Sequence, residues 1–153
     1  MSRGTAYQVD VRELAAFSPL DVYEMLKLRV DVFVVEQACA YPELDGKDGE
    51  ALHLRLLDNA DLLACARLWQ QPDGALPRIG RVAVSPAHRG KRLGEALMRE
   101  AIAECEARFR GQPIAISAQS HLQRFYEGLG FVVTSAEYVE DGIRHVDMER
   151  PVR

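Results

Sequence analysis

Positive charge and glycine are concentrated in the segment VAVSPAHRGKRLGEALM, residues 82–98, where an apolar strand gives way to a helix. The charges are Arg89, Lys91 and Arg92, and the glycines are Gly90 and Gly94. A helix that begins near Gly90 leaves backbone N–H groups without partners, and its dipole favours an anion there. Glycines let a ligand or a neighbouring strand approach the backbone. The segment therefore predicts a phosphate or diphosphate site, and the open alternative is a solvated basic helix start.

The familiar phosphate motifs are missing from this segment. It lacks the GxxxxGK followed by Ser or Thr of the P-loop, and it lacks the GxGxxG fingerprint of dinucleotide-binding folds. Any diphosphate site here must therefore belong to another class.

A second strand-to-helix junction lies at ISAQSHLQRFYEGLGF, residues 116–131. It contains Tyr126, whose phenol could donate a proton to a leaving group. On the residues alone, a tyrosine packed in the core beside Phe125 is the simpler interpretation.

Together the two segments resemble the GNAT superfamily of N-acetyltransferases. Arg89 and Gly94 match the ends of its [Q/R]xxGx[G/A] motif, and Tyr126 with the Gly-Phe pair at 130–131 matches a second motif. Arg92 replaces the central glycine of the first motif. The segments LKLRVDVFVVEQACAYPELDGKD and EDGIRHVDM further resemble the ElaA group of that superfamily, in which a long side chain at this position is usual.

This resemblance implies an α/β (α+β) fold in one domain over residues 1–153. The sheet would be mixed and mostly antiparallel, with helices on both faces and splayed central strands. The implied cofactor is acetyl-CoA, and the resemblance assigns its binding to the following residues: Val82, Ala83 and Val84 along the pantetheine arm, Arg89, Gly90, Lys91, Arg92, Leu93 and Gly94 around the diphosphate, and His121 and Phe125 on the facing segment.

The same resemblance gives Tyr126 the role of general acid toward the leaving thiolate. An alkyl amine with a pKa of about 10 must lose a proton before it attacks. Glu36, in VVEQ, is the candidate base, and an exposed carboxylate at a helix end is the equal alternative. His53 is a second candidate, although a lone histidine in a strand is more often structural.

The elements that must position these residues follow from the spacing of apolar residues. The pattern predicts a helix over 19–37, a long acidic loop over 38–51 and a β-hairpin over 52–71. A strand over 78–85 leads to a long helix that ends at Gly111, with further strands and a short helix up to a hairpin around Asp141. Glu43, Asp45 and Asp48 lie in the acidic loop, and we expect them to be solvated, with attraction of a cationic amine as the alternative.

Composition limits the function classes. The chain has 153 residues and a net charge of −4, which argues against nucleic-acid binding through its local cluster Arg78, Arg81, Arg89, Lys91 and Arg92. Its three cysteines are far apart, so neither a disulfide framework nor a metal site is expected. No window resembles a signal peptide or a membrane span, and we expect a cytoplasmic protein.

The leading hypothesis is an acetyl-CoA-dependent N-acetyltransferase acting on an amine of a small molecule or peptide. Transfer would be direct, because neither cofactor segment contains a cysteine that could hold the acetyl group. The alternative is a GNAT-fold module that binds acyl-CoA without transferring it. A homodimer is possible and leaves no mark in the sequence.

Overall fold

A single mixed sheet organises the chain in a computed structural model that describes residues 6–153. The strands are β1 (Gln8–Glu13), β2 (Leu52–Asp58), β3 (Asp61–Trp69), β4 (Arg78–Val84), β5 (Ile114–Gln119), β6 (Val132–Val133), β7 (Tyr138–Glu140) and β8 (Ile143–Arg150). Their order in the sheet is β1-β2-β3-β4-β5-β8-β6, with β7 paired to β8. The helices are α1 (Pro19–Val30), α2 (Leu93–Arg108) and α3 (Gln123–Glu127).

Helices cover both faces of the sheet, as the resemblance implies. On one face, α2 and α3 pack on the central strands through Leu97, Met98 and Tyr126. On the other face, α1 packs through Met25 and Leu28. Each layer buries apolar area, which is the dominant stabilising term of such a core.

Parallel strands β4 and β5 pair at a single register position, Arg78 with Ala115. Every other pairing of the described sheet is antiparallel. Beyond that position β4 and β5 diverge toward Val84 and Gln119, so the middle of the sheet splays open. The expected splayed central strands are therefore present.

The first helix changes its hydrogen-bond pattern before it ends. Ser18 caps α1, accepting from the Asp21 N–H at 3.1 Å. After Val30 a π-helical turn (Asp31–Glu36) follows, in which the Gln37 N–H donates to the Val32 carbonyl at 3.2 Å. The apolar spacing predicted one helix over 19–37. The change to π geometry was not predicted, because a six-residue segment is too short for a different period to show in the apolar pattern.

Two further boundaries differ from expectation. Strand β1 was not predicted, although two valines alternate with polar residues along this exposed or half-buried edge strand. Helix α2 begins at Leu93 rather than near Gly90, because Gly90 and Arg92 both have positive φ and delay the helix. Among residues 6–153, none of the helices combines the length and the apolar character that crossing a bilayer requires.

Candidate functional site

A cleft of about 1060 Å³ opens where β4 and β5 separate. Its volume is of the size that holds a large part of a cofactor-sized ligand. The predicted site residues that line it are Glu36, Val82, Ala83, Val84, Arg89, Gly90, Arg92, Leu93, Gly94, His121, Phe125 and Tyr126. Lys91, which the resemblance assigned to the diphosphate site, is exposed and is not among the lining residues.

The N-terminus of α2 faces this cleft with its backbone donors open. Arg92, the residue before the helix, has φ +56° and provides no side-chain cap. The first N–H groups of a helix lack partners within it, so those of α2 remain available to an anion. Glycine adopts this left-handed conformation without strain, which accounts for the glycine usual at this position of the motif, and Arg92 adopts it here with a long side chain.

Gly94 separates two walls of the cleft. A Cβ atom built there would lie 3.9 Å from Phe125 Cζ and 3.9 Å from Val84 Cγ2, both ordinary contact distances. A methyl group would therefore fit against the protein while filling the space between the walls. This space allows a thin, extended ligand to approach the start of α2 closely.

Tyr126 is buried, yet it lines the cleft. Its ring packs edge-on against Phe125 and Phe131, with centroids 5.1 Å and 6.0 Å away. Among the described residues, its hydroxyl makes no side-chain hydrogen bond. Burial raises the pKa of Tyr126 to about 12, so its proton stays in place at neutral pH.

Glu36 is held by an arginine of the predicted diphosphate loop. Its two carboxylate oxygens accept from Arg89, at 2.5 Å from Nη1 and 2.7 Å from Nη2. These hydrogen bonds lower the pKa of Glu36. Since a lower pKa makes the carboxylate a weaker base, Glu36 needs release from Arg89 before it can accept a proton well.

The segment 36–39, which follows the π-helical turn, contacts three different parts of the cleft. Besides Glu36 at Arg89, Gln37 accepts from Gln119 Nε2 at 3.2 Å at the end of β5. Cys39 Sγ lies 3.2 Å from the Asp141 carbonyl in the β7–β8 turn. This segment therefore connects the loop before α2 and the end of β5 with the last hairpin.

The acidic loop is not solvated, contrary to the sequence-based expectation. Glu43 is 3% exposed and accepts from Arg29 Nε at 2.7 Å. Asp48 accepts from Arg29 Nη1 at 2.7 Å, and Asp45 accepts from Arg67 at 2.9 Å through both of its oxygens. Arginines neutralise these carboxylates, so they do not offer free negative charge to a cationic amine.

His53 does not add to the site, and three of the five cations considered for nucleic acid are engaged with other side chains. His53 is 1% exposed, lies outside the cleft lining, and has Nε2 2.9 Å from the Asp48 carbonyl. Its role is therefore structural. Of the cations considered for nucleic acid, Arg89 pairs with Glu36, Arg81 with Glu43, and Arg78 donates to Ser117 at 2.8 Å.

The cleft also contains residues that the sequence did not single out. Cys39, Tyr41, Arg67 and Trp69 line it, with the Arg67 guanidinium 4.7 Å from the Trp69 ring centre. Their types carry no recognisable motif, and they converge only through the fold. Cys65 and Cys105 are buried.

Comparison with known proteins gives a consistent result. The acetyltransferase (GNAT) domain family matches residues 17–151. The protein ElaA of Escherichia coli is 42% identical over 134 residues, covering 86% of this chain and 88% of ElaA. The crystal structure of Escherichia coli ElaA superposes with a TM-score of 0.88 at 36% identity, covering 95% of this chain and 99% of that one. An acyl-CoA N-acyltransferase from Pseudomonas aeruginosa gives a TM-score of 0.89 at 38% identity, with the same coverage of 95% and 99%.

Proposed function

The chain belongs to the acetyltransferase (GNAT) domain family and is an N-acetyltransferase, and we propose that it moves an acetyl group from acetyl-CoA directly to an amine. The proposed acceptor is an amine of a small molecule or an exposed amino group of a peptide. Acyl transfer follows from the family. The acetyl donor, the acceptor class and the residue roles are the proposed parts.

The observation that carries the proposal is the uncapped start of α2 at the open end of the splayed strands. Backbone N–H groups there suit a diphosphate, and Gly94 leaves room between Val84 and Phe125 for a thin, extended group. The strand edge at 82–84 would hold the amides of the pantetheine arm. Such a site fits coenzyme A better than a free phosphate, because the cleft extends well beyond the helix start.

Acetyl-CoA, when bound, supplies the acetyl thioester. The chain's own groups then have distinct tasks. Tyr126 keeps its proton at neutral pH and is the proposed general acid toward sulfur. Glu36, once Arg89 turns to the diphosphate, is the proposed base for the ammonium of the acceptor, directly or through water. A backbone N–H near Val84 would stabilise the developing oxyanion, an effect often worth about 3 kcal/mol.

Calorimetry with acetyl-CoA, followed by thiol release across a panel of amines, tests this proposal. The panel contains alkyl amines, free amino acids and peptides, with an amine-free reaction as control. We expect binding, amine-dependent thiol release and one acetyl group on the amine. Absence of binding at millimolar acetyl-CoA, or binding without transfer to any amine, would overturn it, and the second result would favour a binding module.

Direct transfer is tested in the same samples by the intact mass of the protein. Cys39 is the cleft cysteine among the described residues. With acetyl-CoA and no amine, we expect no acetyl group on the protein, and Cys39→Ala should keep its turnover. An acetylated Cys39 that passes its acetyl group to an added amine would replace direct transfer by a two-step route.

The proposed location is the cytoplasm, since free cysteines are typical of a reducing compartment. The homodimer stays a prediction, and the elution volume on a calibrated sizing column tests it.

A further inference from the structure

Strand β4 contains a bulge beside the cleft. On β3, Ala66 alone faces two residues of β4, Arg81 and Val82. Arg81 has φ +50°, a left-handed conformation that residues other than glycine rarely adopt within a strand. A bulge of this kind changes the direction in which the following backbone groups point. The residues that follow here, 82–84, form the wall of the cleft.

The side chain of Arg81 is tied to the acidic loop. Its Nε donates to Glu43 Oε2 at 2.9 Å, and its Nη2 donates to Asp45 Oδ2 at 3.3 Å. The guanidinium also lies over the Tyr41 ring, 5.5 Å from its centre. Three residues of one loop therefore hold this one side chain.

Glu43, which accepts from Arg81, is itself held by two further contacts. Glu43 Oε2 also accepts from Arg29 Nε of α1 at 2.7 Å, and its other oxygen accepts the Tyr41 hydroxyl. Because both oxygens are engaged and the side chain is 3% exposed, Glu43 has little freedom to move. It is therefore a rigid point from which the bulge can be held.

We propose that Glu43 and Asp45 are positioning residues: by holding the Arg81 side chain, they keep its backbone left-handed and so aim into the cleft those N–H groups of residues 82–84 that do not pair with β3. A left-handed arginine is unfavourable, and a tether of charge-assisted hydrogen bonds compensates for this. The consequence for turnover rests on the function proposed above, whereas the effect on the backbone does not.

Arg81 could act by holding the backbone or by binding the acceptor, and its variants distinguish these two roles. If the side chain only holds the backbone, glycine should replace it well, since glycine adopts positive φ without strain. If Arg81 instead binds the acceptor, glycine and alanine should be equally harmful. The test therefore compares Arg81→Ala with Arg81→Gly. These two changes leave Glu43 paired with Arg29, so the buried carboxylate of Glu43 keeps a positively charged partner.

For Arg81→Ala we expect kcat to fall about tenfold, as the left-handed state loses its tether, with little change in the KM of the amine. The amide NMR signals of residues 82–84 should shift in the same variant, with or without acetyl-CoA. For Arg81→Gly we expect kcat within about threefold of the parent and smaller amide shifts. Asp45→Asn should shift the same amides in the direction of Arg81→Ala, by a smaller amount.

Arg78 provides the matched control on the same strand, since it also lines the cleft but lacks a positive φ. There glycine should do no better than alanine. Equal losses in both Arg81 variants with a raised KM of the amine, or unmoved amides at 82–84 in Arg81→Ala, would overturn the inference. The amide signals need no turnover, so they decide it even if the parent protein shows no acetyl transfer.

Discussion

Glu36 and Arg89 form a bidentate ion pair, with oxygen–nitrogen distances of 2.5 Å and 2.7 Å, between the π-helical turn and the loop before α2. The pair joins the proposed base to an arginine of the proposed diphosphate site. Both side chains remain substantially exposed, at 42% and 44%, and exposed ion pairs contribute little to stability. A diphosphate can therefore displace Glu36 from Arg89 at small cost, which would free the carboxylate when the donor binds.

Replacing Glu36 by glutamine should change binding and turnover in opposite directions. Arg89 loses its competitor, so the Kd for acetyl-CoA should fall about threefold. Turnover should fall about 100-fold, because the base is lost. Stopped-flow thiol release and calorimetry measure the two effects.

The matched control for this change is Glu104→Gln, which removes a carboxylate that pairs with Arg108 at the far end of α2. It should leave both quantities unchanged. Unaltered turnover in Glu36→Gln would remove Glu36 as the base, and an unaltered Kd would show that the ion pair does not compete with the donor.

Removing the Tyr126 hydroxyl should separate binding from chemistry. Tyr126→Phe keeps the ring contacts with Phe125 and Phe131, so acetyl-CoA should bind within about twofold of the parent. Turnover should drop about 100-fold, the usual scale for a lost general acid. Tyr23→Phe, on the exposed side of α1, is the control. Full turnover in Tyr126→Phe would exclude the hydroxyl from the mechanism.

The pH profile gives an independent test of the same residue. A general acid works only while protonated, and burial raises the pKa of Tyr126 to about 12. Turnover at saturating substrate should therefore show no loss from this group up to about pH 10, where an ordinary phenol would be half ionised. A basic limb near pH 9 that disappears in Tyr126→Phe would contradict the raised pKa.

The sequence predicted the elements with regular apolar spacing and the segments that carry a family motif. Regular apolar spacing located α1, α2 and the hairpin of β2 with β3, and the family motifs identified the segments around Arg89 and Tyr126. Strand β1 was missed although Val9 and Val11 alternate with polar residues, because two valines are too few to distinguish a short edge strand from a loop. The left-handed Arg81 gave none either, since nothing in a run of strand residues marks a bulge that a remote loop holds in place.

The buried ionic cluster shows why the site was only partly predictable. In sequence, Glu43, Asp45 and Asp48 look like any solvated acidic loop. Their partners, Arg29 and Arg67, come from α1 and β3, and only the packing of these elements on the sheet brings the charges together. Spacing along the chain carries no information on such contacts.

Enlarging Gly94 should weaken cofactor binding without harming the fold. In Gly94→Ala the new methyl would make only ordinary contacts, at 3.9 Å from Phe125 and Val84, and alanine favours a helix over glycine by about 1 kcal/mol. We therefore expect an unchanged or higher Tm together with about a tenfold weaker affinity for coenzyme A. A lower Tm, or an unchanged affinity, would show that the methyl does not enter the cofactor's space.

The buried cluster should make stability sensitive to acid. Burial alone would raise the pKa of Asp48, but hydrogen bonds and charge from Arg29 and Arg67 outweigh it and lower the pKa below 3.8. The unfolded chain then binds a proton more readily than the folded one. The stabilisation is therefore complete above about pH 5 and is lost as the pH falls below about 4.

Asp48→Asn should lower the free energy of unfolding at pH 7 by about 3 kcal/mol, with a smaller difference near pH 3. Urea unfolding at both pH values measures this, with exposed Asp31→Asn as control. Equal differences at the two pH values would contradict the lowered pKa.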